Sequence, residues 1–559
     1  MNTARTEAVG AAPDQVEIVV VGAGPVGATL ANLLGTYGVR TLVLERNADI
    51  LEYPRAVGLD DEAMRTLQCA GVADAMLKDM IQNVPMRMYT ARKQCFAEFL
   101  PATREFGWFR RNLFSQPLGE RVLRAGLARF PHVRLELGAD VTALTQDDKG
   151  VVVDVTGADG TSRRVTAQYL LAADGGRSTV REKLLQLPFS GNTHPRKWVV
   201  IECDQDPLDA PYTALHCEPA RPYVCLHLPY GIRRWEFMLF AGEDDVQMLQ
   251  PEKVRELLSQ HVPDASKLNV IRARVYTHHS RIAGSFVTGR VCIAGDAAHL
   301  TPPWIGQGLN AGLRDACNLA WKAAWIVQGR LHPSALQSYH DERYLHAKAM
   351  IALADMFGAV LSLTNPLVAR LRDGLFMAIR NIPRLRDYVL QMKFKPMPRY
   401  SVGIVRDNTR SAANELVGRM FIQPLVEQVN GTVVKLDDAL GHGFVLLVWG
   451  DMPTLTPTLL AGLRRLSCHR LVAAMACSGP GPGRRLPVPE GVSLVEDTEN
   501  ALNLWFRKAG VDWVLIRPDR YVAAVGLRAE AQASLQGFVD SFVPTAQAFM
   551  GSMEDREAA

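Results

Sequence analysis

The stretch VVVGAGPVGATLANLLGTYG constrains this chain more than any other. Residues 16–21 form a short β-branched apolar run of buried-strand type, and residues 28–37 predict a helix stopped at Gly38. Between them stand Gly22, Gly24 and Gly27 in GxGxxG spacing, with Pro25 and Val26 inside the turn. Residues 40–44 predict a second strand ending in Glu45, 18 residues beyond Gly27, with Arg46 next. Glycines so placed allow a tight turn and close backbone approach to a pyrophosphate, which the free N–H groups of a helix start stabilise. A carboxylate ending the second strand accepts hydrogen bonds from ribose hydroxyls. The pattern predicts a Rossmann-like α/β unit that binds a dinucleotide, without separating NAD from FAD.

A second stretch, GDAAHLTPPWIGQGLN, follows the apolar run of residues 291–294. It is loop chemistry leading into a helix, since Leu313, Cys317, Ala320, Ala324 and Val327 repeat at helical spacing and Gly329 can end it. If both stretches meet in the fold, they grip one long ligand from two ends.

Length and pattern predict two to three cores. After a loose tail (1–15), residues 16–186 and 282–345 read as a discontinuous nucleotide-binding domain. Residues 187–281 read as an inserted β-sheet domain that holds substrate. Residues 346–415 read as helical, and 416–559 as a separate α/β domain with a loop at SGPGPGRRLPVPEG. A net charge of +4 over 559 residues implies neither nucleic acid nor an acidic membrane surface, and no apolar signal core is visible. Nine cysteines form no CxxC pair and no metal-type spacing, which predicts reduced thiols, a cytoplasmic protein and no metal site.

With ADGGRSTVR (Asp174, Ser178, Arg181) between them, the two glycine-rich stretches resemble the three FAD motifs of the single-component flavin-dependent aromatic hydroxylases. The stretches YPRAVGLDDEAMRTLQ, FGWFRRNLFSQP, RPYVCLHLP, RVYTHHSRIAG and MKFKPMPRY resemble the branch that ortho-hydroxylates 3-(3-hydroxyphenyl)propionate and 3-hydroxycinnamate. The resemblance implies an FAD enzyme that takes NADH or NADPH and O2, acts on a phenolic acid through a flavin C4a-hydroperoxide, and serves aromatic acid catabolism. A homodimer is compatible with it.

Carried over residue by residue, it places Arg55, Gln116, Asp174, Gly295, Asp296, Pro302 and the helix start Gly306, Gln307, Gly308, Leu309 and Asn310 at FAD, with Pro303 beside the ring. Trp304 and Ile305 depart from the small residues common in the wider family. For Arg55 the competing reading is a surface ion pair with Asp60 or Asp61; for His299 it is a structural loop bond rather than catalysis. Tyr276 and His278 share one strand face by alternation, and a histidine near its reference pKa of about 6.5 can accept a phenolic proton. The competing reading is a core pair satisfied by backbone. Arg196, Arg221 and Arg233 are the candidates for the substrate carboxylate. The resemblance also implies a thioredoxin-like C-terminal domain, in which Trp449-Gly450-Asp451-Met452-Pro453 stands where a dithiol would lie and excludes disulfide exchange there. Other readings are a hydroxylase of another phenol or a polyketide, and a flavin-binding protein without turnover. A flavin halogenase is disfavoured by the lack of a WxWxIP stretch.

Overall fold

The computed structural model describes residues 14–53, 55–101, 103–384, 397–407, 413, 415–466, 470–476 and 491–544. Most of the expected tail, Cys468, Cys477 and nearly all of the SGPGPGRRLPVPEG loop lie outside them. The seven described cysteines are free thiols, six of them buried.

The first strand, Asp14–Val21, starts two residues earlier than the apolar pattern predicts and lies centrally in its sheet. Ile18, Val19 and Val20 are wholly buried, as expected of a parallel strand covered on both faces. Five parallel strands run in the order Val291–Ile293, Ser162–Ala172, Asp14–Val21, Thr41–Glu45, Val133–Leu137. The two glycine-rich loops leave strands separated in this order only by Ser162–Ala172, whose end carries Asp174. Position in the sheet thus brings all three motifs to one edge. The helix Pro25–Thr36 opens with proline in its first turn, where the missing N–H costs nothing, and stops before Gly38 at φ +75°.

A second sheet of eight strands stands against this unit. Its two longest strands, Phe189–Asp204 and Asn269–Ala283, pair antiparallel and come from the region that the sequence pattern reads as an inserted sheet. The sheet also recruits Met86–Tyr89 and Cys95–Phe99, so strands from well before residue 187 complete it. The boundary expected at 345/346 falls inside one helix, Gln337–Leu361, because no breaker interrupts the chain there. That helix is part of a span, Pro333–Leu361, long and apolar enough by composition to cross a membrane. Its Glu342 and Arg343 are instead buried in ion pairs with Arg517 and Asp315, which places it in the folded core.

A seven-stranded mixed sheet forms the C-terminal part. It is joined to the nucleotide-binding part by continuous packing, with Trp321 edge-on to Phe444 and the Trp325 indole donating to the Leu466 carbonyl at 2.9 Å.

Candidate active site

Apart from Ser178, which lies under the Asp174 loop, all the residues singled out for cofactor or catalysis border one cavity of about 1290 Å³, except Gly27 and Gly295. Those two lie beneath its wall and explain its shape. A Cβ on Gly27 would stand 1.9 Å from the Gly22 carbonyl oxygen, and one on Gly295 would stand 2.9 Å from the Val26 side chain. A Cβ on Gly24 meets nothing within 4 Å, because it would point into the cavity. Glycine is thus required at Gly27 for packing and at Gly24 for the approach of a ligand.

Glu45 accepts from the Ala23 N–H at 2.8 Å and from Asn47, which fixes the carboxylate against the glycine turn. Arg124, not foreseen from sequence, donates to the Ala23 carbonyl at 3.0 Å and puts a cation at the same turn. Asp174 accepts from the Val180 N–H through Oδ2. Its Oδ1 is buried without a partner among the described residues, and burial holds the carboxyl above the usual range. Such an unmet acceptor beside a cavity calls for a ligand donor. Arg181 ties this loop to the next by donating to the Gly176 and Ala297 carbonyls, both at 2.9 Å.

The GD loop is held from below by Asp315, one helical face inside the Gly308–Val327 helix. Asp315 accepts from Gly295 N–H at 3.0 Å, from Arg343 at 2.8 Å, and pairs with His299 at 2.7 Å. Burial pushes the Asp315 carboxyl up, but His299 and Arg343 outweigh this and hold it at about 2. His299 is therefore part of the loop's support, in keeping with its structural reading. Asp296 itself is half-buried at the cavity.

The start of the Gly308–Val327 helix faces the cavity after a left-handed turn at Gly306. Its free N–H groups favour negative charge on whatever lies there. Not all of its side chains are available to a cofactor. The Asn310 amide bonds to Gly58 and Gly306 carbonyls and to the Asp60 N–H, and Gln307 accepts from Arg314. Gln116 accepts from the N–H groups of Arg55 and Ala56 at 2.9 and 2.7 Å, so it shapes the loop that presents Arg55. Asp60 and Asp61 pair with Arg314 and Arg110, which removes the ion-pair partners considered for Arg55.

The other half of the cavity lies over the large sheet. His278 stacks on Trp198 at 5.7 Å and meets Trp304 edge-on at 5.9 Å. The bulk of Trp304 is accommodated by Gly358, where a Cβ would lie 2.3 Å from the indole nitrogen. Neither the His278 ring nor the Tyr276 hydroxyl hydrogen-bonds a described residue, so backbone does not satisfy them. The ordinary pKa expected for His278 is overturned: burial, helped by His194 and His279, lowers it to about 3. Burial likewise raises Tyr276, despite nearby Arg234. Both side chains are neutral at pH 7.

None of the three arginines expected to bind a carboxylate borders the cavity. Arg196 donates to the Ser362 carbonyl, Arg221 pairs with Glu243, and Arg233 pairs with Asp206. Each is committed to an acceptor elsewhere in the fold, and no sequence pattern marks that commitment.

A glycine cradle, an orphaned buried acceptor, a paired carboxylate and a helix start along one elongated cavity fit FAD, and they define the class as a dinucleotide-binding flavoprotein. Residues 15–354 match the model of the FAD binding domain family, and residues 418–541 match that of the HcaD C-terminal domain. A 3-(3-hydroxyphenyl)propionate/3-hydroxycinnamic acid hydroxylase of Burkholderia vietnamiensis is 52% identical, over 91% of this chain and 94% of that one. Its counterpart from Escherichia coli is 42% identical over 92% of each chain. Among solved structures, the flavin-dependent monooxygenase PieE with FAD and substrate superposes with a TM-score of 0.75 at 20% identity, covering 96% of this chain and all of PieE. Aklavinone-11 hydroxylase with FAD and aklavinone gives 0.72 at 24% identity, covering 95% and 99%. The chain belongs to the family of FAD-dependent aromatic hydroxylases and is a flavoprotein monooxygenase.

Because Asp296 enters the cavity from a loop fixed by Asp315, Asp296→Ala is expected to weaken FAD binding without altering the fold. Loss of one charged acceptor for sugar hydroxyls is worth about 1.5–3 kcal/mol. Equilibrium dialysis of the flavin against apoprotein measures it, and an unchanged dissociation constant removes Asp296 from the site.

Proposed function

We propose that this enzyme ortho-hydroxylates 3-(3-hydroxyphenyl)propionate, and 3-hydroxycinnamate with it, to the 2,3-dihydroxyphenyl acids in aromatic acid catabolism. In this reading it works in the cytoplasm with NADH or NADPH and O2 as co-substrates, and a homodimer is the assembly expected. The observation that carries the reading is a chamber continuous with the FAD cradle, lined by apolar and aromatic side chains, into which the polar tips of Tyr276 and His278 enter side by side from one strand. Two relatives with the substrate in their names cover nearly the whole chain, which supports the same choice.

Bound flavin, reduced by nicotinamide, supplies the activated oxygen. The chain's own residues orient and enclose the phenol. Trp198, Trp304 and Phe357 exclude water from the ring, and the Gly308–Val327 helix start stabilises negative charge at the cofactor. Tyr276 keeps its proton and donates a hydrogen bond. His278, its pKa lowered to about 3 and so neutral at pH 7, accepts the phenolic O–H as a weak acceptor rather than removing its proton outright. That bond raises electron density at the ring carbon between hydroxyl and side chain.

His278→Ala is therefore expected to lower the hydroxylation rate by about 10- to 100-fold at pH 7 and by much less near pH 10, where the phenol ionises unaided. His278→Gln, which keeps a neutral acceptor, retains most of the rate. Catechol formation followed by chromatography decides it. Equal losses at both pH values assign His278 to structure. Hydroxylation of 3-phenylpropionate, which lacks the activating hydroxyl, would sink the reading as a whole.

A further inference from the structure

Strand alternation puts Met86, Met88, Thr213, Leu215, Val224 and Leu226 on the cavity side of three neighbouring strands. Thr213 is the polar member of this set, and it faces Met86 and Leu226 in register. It is 4% exposed, and its hydroxyl has no hydrogen-bond partner among the described residues. A hydroxyl left unmet in an apolar wall is unfavourable unless something that enters the chamber engages it.

Arg111 borders the same end of the cavity. Its Nε donates to the Val84 carbonyl at 3.1 Å, and the next carbonyl, that of Pro85, accepts from the Thr213 N–H at 2.9 Å. One short segment thus anchors both residues. No ion pair joins Arg111 to a described acid, and burial pulls the guanidinium down to about 10, so it stays protonated at pH 7. Several other cavity arginines are compensated or committed. Arg234 pairs with Glu236 at 2.7 Å, Arg110 with Asp61 at 3.4 Å, and Arg124 and Arg181 hold carbonyls of the FAD loops.

We propose that Arg111 and Thr213 form the carboxylate-binding end of the substrate chamber and select phenols that carry an acidic side chain. The inference rests on the functional reading above and adds the residues that read the acid. Arg111 presents its remaining N–H groups to the carboxylate in the planar fork that suits two oxygens, and Thr213 donates its O–H to one of them. The apolar span from Leu215 to Leu226 takes the two side-chain carbons. A half-buried guanidinium without an acid partner among the described residues attracts the ligand's charge, so binding is selective for the anion over a neutral isostere.

The test titrates flavin-loaded enzyme with 3-(3-hydroxyphenyl)propionate and with 3-propylphenol, its neutral counterpart, following the flavin absorbance change. Arg111→Gln is expected to weaken binding of the acid by about 50-fold and that of 3-propylphenol by less than about twofold. Arg111→Lys restores part of the loss, and Thr213→Val weakens only the acid, by about fivefold. Equal weakening of both ligands, or none, in a variant with parental melting temperature overturns the assignment. A parent enzyme that hydroxylates 3-propylphenol but does not bind the acid overturns the substrate reading itself, and the subsite with it.

Discussion

Gly24→Ala is expected to fold like the parent and to purify without flavin. The residue has ordinary backbone angles, φ −67° and ψ −177°, that alanine adopts freely, and its added methyl would touch no protein atom within 4 Å. The methyl would stand where a pyrophosphate approaches the helix start, so the loss falls on the cofactor alone. Gly27→Ala differs in kind. Its methyl would lie 1.9 Å from the Gly22 oxygen, and backbone must shift to admit it. Flavin occupancy and stability both fall there, with at least about 100-fold weaker binding and a loss of about 1–3 kcal/mol typical of an overpacked site. The 450 nm absorbance of purified protein and the melting curve of each apoprotein separate the cases. Full flavin content in Gly24→Ala would mean that the cofactor does not run past this turn.

How far the sequence reveals such a site depends on whether backbone or side chain does the holding. Gly22, Gly24 and Gly27 are legible because steric need restricts those positions to one residue, and the strand and helix that flank them follow from period and punctuation. The same holds for the meeting of distant motifs, since parallel strand order places Gly22, Asp174 and Asp296 on one edge. Side-chain commitments are not legible. Asn310 and Gln307 sit in a cofactor motif, yet their amides hold Gly58, Asp60 and Arg314. Arg196, Arg221 and Arg233 are the sequence candidates for an anion, and only the partners Ser362, Glu243 and Asp206 remove them. His278 was found by alternation, but its basicity depends on the stacked Trp198 and on burial, which no spacing encodes.

A steep acid limb is the second large effect expected. Glu342 is wholly buried and bonds to both Arg517 and Lys322 at 2.8 Å. Burial pushes its carboxyl up, but Arg517 and then Lys322 outweigh this and hold it at about 2. Lys322 is itself pulled down to about 8 by burial, so Arg517 is the stronger partner. Asp315 is also held at about 2. Both carboxyls are more acidic folded than unfolded, where about 4 is usual, so they bind fewer protons in the native state. Their stabilisation is complete above about pH 5 and is lost as pH falls through 4 towards 2, on the order of 2 kcal/mol each. Because Asp315 holds the GD loop, flavin should leave over the same interval. Urea midpoints and flavin fluorescence between pH 6 and 3 measure both. Asp315→Asn should flatten the limb, although breaking a buried pair also costs about 3–5 kcal/mol at neutral pH. An acid limb of unchanged steepness in that variant would place the titrating groups elsewhere.

The network around Glu342 also sets an order of events during synthesis. Asn318 and its partner Asp519 are 201 positions apart, and Arg517 follows Glu342 by 175. A nascent chain that has emerged through the whole FAD-binding segment carries Lys322 but still lacks Arg517, the stronger of the two cations that neutralise Glu342. The two helices beneath the GD loop therefore cannot bury that carboxylate at low cost until the last strands of the C-terminal sheet leave the ribosome. Flavin loading is in this sense a late step, taken by the nearly finished polypeptide rather than by its first domain alone.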